Sequence, residues 1–308
     1  MESNRLPRFE RASNAGFIEL TIRDRSVIQI VHRHRFLRSS HIVSLINSSS
    51  QPILRRLHLL YHHGYLERPR AQLEYYHSTG SRPIVYGLGN KGAALLRNEL
   101  GIPVSDANWG EKNRSIGRIY LEHVLLVSDI MVAFELACRK ENRIRFIDQA
   151  DLLLPNELKR QRQPFRWKTN LSTNVSLGVI PDRVFALECP DQTGEAHRAY
   201  FFLEADRGTM PVKRTNLSQT SMYRKFLAYE ATWQNGIHRS RFSFHRFRVL
   251  TVTTSTERLH SLVETCSQLK SGHGLFLFTD RASISKPEDV FGPIWHPVKQ
   301  GESRFLLN

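Results

Sequence analysis

Ser50-Gln51-Pro52-Ile53-Leu54-Arg55-Arg56-Leu57-His58-Leu59-Leu60-Tyr61-His62-His63-Gly64-Tyr65-Leu66 is the stretch on which the reading of the first hundred residues turns. Pro52 suits the first turn of a helix, where its missing N–H costs nothing. Ile53, Leu57 and Leu60 recur at helical spacing and predict one buried stripe. Arg55, Arg56, His58 and His62 are expected largely outside it. Gly64 stops the helix as a C-terminal cap. Tyr65-Leu66-Glu67-Arg68 then opens a short strand.

The neighbours on either side complete a pattern. Upstream, Thr21-Ile22-Arg23-Asp24 opens a helix carrying Val27, Ile28, Ile30, Val31 and His34. Ser39 or Ser40 can cap a second short helix with Ile42, Val43, Leu45 and Ile46. Asn47-Ser48-Ser49-Ser50 is a polar break. Downstream, a polar loop with His77, Ser78, Gly80 and Ser81 separates the first strand from a second, Arg82 to Leu88, and a closing helix begins at Asn90. Three helices, a hairpin and a helix in this order describe a winged helix-turn-helix over residues 16–100. Its third helix is the expected major-groove reader, with Gln51, Arg55 and Arg56 toward the duplex. Arg68, Arg70, His77 and Arg82 are expected to follow the phosphate backbone from the hairpin. The same module used for protein contacts is the alternative.

Charge agrees with a polyanionic partner. The 308 residues carry a formal net charge of +15. Residues 1–114 hold 17 Lys and Arg against 9 Asp and Glu, so the first third is the densest positive region. Cations that neutralise phosphates release condensed counterions, which favours double-stranded DNA as partner, although charge alone does not separate DNA from RNA or anionic lipid. No apolar run approaches the ~18 residues needed to span a bilayer. Met1 to Arg5 lacks the apolar stretch of a leader, so a cytoplasmic protein away from the membrane is expected. Cys138, Cys189 and Cys266 lie far apart and read as buried or half-buried thiols.

Residues 101–114 combine Gly, Pro, Asp, Asn and charge, a linker composition. Beyond them a second domain is expected over 115–298, with a tail at 299–308. The pattern predicts a helix over 115–138 and strands over 143–153, 179–187 and 199–206. A helix over 215–233, a strand over 246–254, a helix over 256–270 and a strand over 274–279 follow. That order suggests an α/β layer with one central mixed sheet, and an α+β or α/β chain as a whole.

Acidic residues fall at strand ends. Pro181-Asp182 opens one strand, and Glu204-Ala205-Asp206 closes the next. Side chains two apart share a strand face, so Glu204 and Asp206 point together, and Asp182 joins them if the strands are neighbours. Convergent carboxylates form a hard oxygen site suited to Mg²⁺, which can activate water for phosphodiester cleavage. Lys225, one helical turn from Tyr229, could stabilise the phosphate in such a reaction. The alternative is that these acids cap turns or pair with arginines such as Arg183 and Arg207. Glu122 is a further carboxylate on the 115–138 helix. The basic stretch Lys159 to Lys168, with Phe165 and Trp167, is expected as a loop that grips DNA or stacks on a base.

Two resemblances follow from these residues. Pro181-Asp182 with Glu204-Ala205-Asp206 resembles the PD-(D/E)-x-K motif of the restriction-endonuclease-like superfamily. Asp206 stands where that motif has its lysine, and Lys225 could supply the cation from the helix. That resemblance implies catalytic roles for Asp182, Glu204, Asp206 and Lys225, with Mg²⁺ on the three acids. Over residues 16–298 the chain also resembles the bacterial replication-relaxation family of plasmids and mobile elements. Its carriers include the winged-helix stretch, Leu121-Glu122-His123, Phe202 to Thr209, Lys225-Phe226-Leu227-Ala228-Tyr229, Phe247 to Val252 and Trp295. The resemblance implies a replication or relaxation role. It leaves two readings open: a metal-dependent nickase or endonuclease, or a non-catalytic initiator or regulator whose second domain is a scaffold, for example for a homodimer.

Overall fold

A computed structural model describes residues 9–75, 82–105, 107–190, 196–299 and 303–307. His77, Ser78, Gly80 and Ser81 of the predicted loop lie outside them. The chain is mixed α+β and divides into two compact units, Met1–Val132 and Ala133–Asn308. The division falls within a long helix rather than at 101–114.

In the first unit, α1 (Ile22–His34) begins with a capping box: the Thr21 hydroxyl accepts from the Asp24 N–H, and Asp24 accepts in return from Thr21. β1 (Phe36–Arg38), α2 (Ser39–Ile46) and α3 (Ser50–His62) follow. Ile53, Leu57 and Leu60 are fully buried, as their spacing predicts. The helix ends through Gly64, whose φ of 82° lets Tyr65 N–H reach the Leu60 carbonyl at 2.9 Å. β2 (Leu66–Glu67) and β3 (Val85–Leu88) form an antiparallel sheet with β1 in the order β1-β3-β2. Gly87 is required there, because a Cβ at that position would lie 2.5 Å from the Phe36 ring. After α4 (Asn90–Asn98), the stretch read as linker contains α5 (Trp109–Arg114). It is anchored by buried Asn113, whose amide donates to the Leu88 carbonyl at 2.7 Å.

The long helix is α6 (Arg118–Lys140). The second unit takes its last turns and continues through β4 (Arg145–Ile147), α7 (Asn156–Lys159), β5 (Trp167–Ser172), β6 (Val175–Val179), β7 (Arg183–Pro190) and β8 (Ala196–Ala205). Then come α8 (Met222–Gln234), α9 (Ile237–Ser240), β9 (Phe247–Thr253), α10 (Thr256–Ser267), β10 (Phe276–Asp280) and β11 (His296–Pro297). One mixed sheet has the order β11-β10-β9-β8-β7-β4. β7 pairs antiparallel with β4 and β8, while β8, β9 and β10 run parallel. Both faces of the sheet are covered. Phe134 of α6 packs on Phe185 and Trp295, and Phe226 and Tyr229 of α8 pack on Phe276, Phe278 and Phe202 on the other side.

Two expectations are corrected here. The strand read over 143–153 is only three residues long, because Asp148 caps a tight turn over Gln149–Asp151. The basic stretch read as a loop runs into a two-stranded hairpin, β5-β6. Trp167 is buried in it, donating from Nε1 to Thr232 Oγ1 at 3.0 Å, and so offers no face to a base.

Candidate functional site

The parallel pairing of β8 with β9, and the antiparallel pairing of β7 with β8, bring several chemical side chains to one end of the sheet. The register sets Arg183 opposite Leu203, so Asp182 and Glu204 follow as the next pair. Asp182 N–H donates to the Leu203 carbonyl at 3.0 Å. Its carboxylate accepts in turn from the Ala205 N–H at 2.7 Å, which ties it to the last residues of β8. Glu204 is 2% exposed. One of its oxygens is ion-paired with Lys225 Nζ, and the other accepts from the Tyr229 hydroxyl at 2.6 Å. Lys225 and Tyr229 lie one turn apart on α8, so a single helix face satisfies both oxygens.

These groups feel one another. Burial pushes the Glu204 carboxyl above the usual range; Lys225 works against that shift, and the neighbouring Asp182 charge adds to it. Burial alone would lower the Lys225 ammonium, but the Glu204 and Asp182 carboxylates outweigh it and hold the lysine above its ordinary value. Tyr229 is raised well above its ordinary value by burial and by Glu204, so it remains a hydrogen-bond donor.

Asp206 is placed differently. It lies just beyond β8, 5% exposed. Arg258, in the first turn of α10, donates to it from Nε at 2.9 Å and from Nη2 at 3.1 Å. Thr253 Oγ1 adds a bond at 2.8 Å and the Gly208 N–H one at 3.2 Å. Both oxygens are therefore engaged by donors. Mg²⁺ takes hard oxygens while keeping several waters. Glu204 is engaged in the same way, one oxygen by Lys225 and the other by Tyr229, and Asp182 accepts from the Ala205 N–H. Among the described residues, no group of three or more His, Cys, Asp or Glu side chains is arranged to hold a metal ion. Glu122 pairs instead with Arg118 along its own helix, at 2.8 Å.

Arg258 was not singled out from the sequence, although a signal was available. A helix that starts at the carboxyl end of β9 must begin beside the carboxyl end of its parallel neighbour β8, so a basic residue in its first turn meets Asp206. The hairpin hid a second feature. A cleft of about 550 Å³ opens over Glu204 and Lys225 at the start of α8, and Arg166, Lys168 and Arg224 also line it. Four cations face one carboxylate there, beside the Ser221-capped end of a helix. Such a lining suits a phosphate more than a cation.

In the first unit, Gln51 and Arg55 are exposed on α3, as are Arg70 and Arg82 downstream. Arg56 is not presented in the same way. It ion-pairs with buried Asp24 and donates to the Glu19 carbonyl at 2.9 Å, joining α3 to the start of α1. Burial works to raise the Asp24 carboxyl, but hydrogen bonds from Arg56 and Thr21 overcome it and hold that carboxyl low. Arg68 departs from the sequence expectation most. It is 2% exposed, donates to the Tyr86 hydroxyl at 3.0 Å and lies 4.1 Å from the Tyr61 ring centroid. It serves as a core cation between aromatic faces. His62 is also inside, where its Nδ1 accepts from the Ala12 N–H at 3.0 Å. A hollow of about 630 Å³ lies between α2 and α3, lined by Ser39, Ser40, Ser44, Ser50, Leu54 and Arg82 among others.

The family model for replication-relaxation proteins matches residues 28–244. The chain belongs to the replication-relaxation family. The matched span starts inside α1 and stops just before β9, so it takes in α3, Asp182, Glu204, Asp206, Lys225 and Tyr229. Arg258 lies outside it. No curated protein and no solved structure matches this replication-relaxation chain. Among the described residues, no helix is long and apolar enough to cross a membrane.

Proposed function

We propose that this replication-relaxation protein is a duplex-DNA-binding factor of a plasmid or mobile element. In this reading the first unit is a winged helix that places α3 in the major groove. The observation that carries it is the outer surface of α3. Gln51 and Arg55 are exposed there, and the serine-lined hollow and Arg82 lie alongside. Hydroxyls and cations around a protruding helix are the groups that fix register on phosphates, while one or two side chains read base edges. The basic cleft over Lys225 gives the second unit its own contact for a phosphodiester backbone.

Footprinting on a cognate plasmid origin tests this reading. Arg55→Ala should weaken specific binding by roughly 5- to 150-fold, the cost of ~1–3 kcal/mol expected for one lost base contact. Unchanged affinity and unchanged footprint in that variant would remove α3 from the account.

A second reading, DNA nicking, is favoured by the adjacency of Asp182, Glu204 and Lys225. Counting central-sheet strands alone, the order α6, β4, β7, β8, α8, β9 also supports it, since it suits an endonuclease-like core. Mg²⁺ would be held by Asp182 and Glu204 and would supply water activation and charge stabilisation. Asp206 takes no part. Incubating supercoiled plasmid with Mg²⁺, Mn²⁺ or chelator separates the readings. Metal-dependent nicking by wild type that is lost in Asp182→Ala establishes cleavage, whereas intact plasmid with a retained footprint establishes the non-cleaving factor.

A further inference from the structure

At the opposite end of the sheet, where β8 and β9 begin, lies a pocket of about 560 Å³. From Arg198 to Glu204 the strand runs six residues, about 20 Å, so this pocket is separate from the cleft over Lys225. Arg198, Arg239, Arg246 and Arg248 line it, and no Asp or Glu does. Arg198 is neutralised by Glu188 at 2.6 Å, and Arg248 donates to the Leu306 carbonyl at 2.7 Å. Arg239 and Arg246 are exposed, and no carboxylate among the described residues pairs with either. The pocket thus carries uncompensated positive charge.

Its walls are aromatic as well as cationic. Trp233, in the last turn of α8, is 42% exposed, the reverse of buried Trp167 and Trp295. Tyr200 backs the pocket, held by stacking on Phe244 at 3.9 Å. His238 is 3% exposed, and its Nδ1 meets no hydrogen-bond partner. Burial lowers the His238 pKa, opposed by a hydrogen bond with the Thr232 backbone and aided by Arg239.

An inorganic anion needs the arginines but not the exposed indole. A nucleotide needs both: cations for its phosphate and an aromatic face for its base. We propose that this pocket binds one nucleotide unit, either free or as an unstacked residue of a single strand. The site is independent of α3 and of the Lys225 cleft.

The test uses the whole chain and titration calorimetry, with AMP and a 5′-phosphorylated thymidine hexanucleotide as probes. Both should bind saturably, and AMP should displace the hexanucleotide. Arg239→Glu with Arg246→Glu should weaken both by tenfold or more without changing Tm, since both side chains are exposed. Trp233→Ala should weaken both about tenfold, the loss expected for one stacked base. Lys225→Met and Arg55→Ala should leave AMP binding unchanged, which keeps this result distinct from failure of the duplex-binding reading. Equal affinity for the two probes assigns the pocket to a free nucleotide; a hexanucleotide bound at least tenfold tighter assigns it to a strand. Absence of saturation by either probe in the millimolar range overturns the proposal. So does undiminished AMP binding in the double arginine variant or in Trp233→Ala.

Discussion

Asp206→Ala separates a structural carboxylate from a metal ligand. Asp206 accepts four hydrogen bonds, two of them from Arg258, and is 5% exposed. Truncation leaves the Arg258 guanidinium, 17% exposed, and the buried Thr253 hydroxyl without their acceptor. Removing one partner of a buried pair costs roughly 3–5 kcal/mol. Arg258 keeps its 2.5 Å bond to the Met210 carbonyl, which favours the lower end, about 3 kcal/mol. In a unit of this size each kcal/mol moves Tm by about 2–4 °C, so a fall of roughly 6–12 °C is expected. Differential scanning calorimetry in chelator and in Mg²⁺ should give the same fall. Asp206→Leu with Arg258→Met, which replaces the pair by apolar groups, should recover most of it. A metal ligand behaves in the opposite way: without metal, its removal relieves repulsion with Glu204 and Asp182 and costs nothing. An Asp206→Ala protein that melts within a degree of wild type in chelator would refute the structural assignment.

Three further outcomes follow from other buried polar groups. Arg56→Ala strands Asp24, which is fully buried, and should destabilise the first unit by about 3 kcal/mol in urea unfolding. A loss of DNA affinity with no loss of stability would reassign that arginine to the duplex. His62 is held neutral, its pKa lowered from 6.5 to about 4 by burial and by His58, Arg68, Arg11 and His63. The unfolded chain binds the proton more readily, so stability is full above pH 6.5 and is lost as pH falls toward 4, by up to ~3 kcal/mol. Urea midpoints from pH 7 to 4.5 should show that slope, and His62→Gln should flatten it. Tyr229→Phe removes the 2.6 Å donor from Glu204 and should cost about 1–3 kcal/mol; no change in melting would mean that the carboxyl is satisfied in another way.

The sequence was most legible where spacing alone decides. Ile53, Leu57 and Leu60 define a helix face without any knowledge of what covers it, and Gly64 ends that helix for a reason local to its own backbone. Legibility fell off where a side chain's role depends on what the fold brings beside it. His62 lies one position from a solvent-facing slot on the helix, and its burial follows from the chain near Ala12 packing over it. Arg56 and Arg68 carry the same charge as Arg55, yet Asp24 and the Tyr61 and Tyr86 rings claim them. The β5-β6 hairpin escaped notice because a run of Lys and Arg around Phe165 and Trp167 reads as a solvated loop. Only its pairing with the later strand β6, whose Leu177 and Val179 are buried, and the contact of Trp167 with Thr232 turn it inward.

The acids at the carboxyl end of β8 show why one motif can sustain opposite readings. Glu204 and Asp206 are two residues apart and would share a face if the strand continued. β8 ends at Ala205, and the Asp206 N–H carries the ladder one step further, to the Val252 carbonyl. Arg258 of α10 then takes Asp206, while Lys225 and Tyr229 of α8 take Glu204. A cation from each helix then neutralises one acid, and the Asp182 charge acts on both Glu204 and Lys225. Lys225 is thus a compensating cation that also lines an open cleft. A phosphate entering among Arg166, Lys168 and Arg224 competes with Glu204 for that ammonium. Whether the freed carboxylate is then protonated or takes up a divalent ion is the physical choice between a DNA clamp and a nickase.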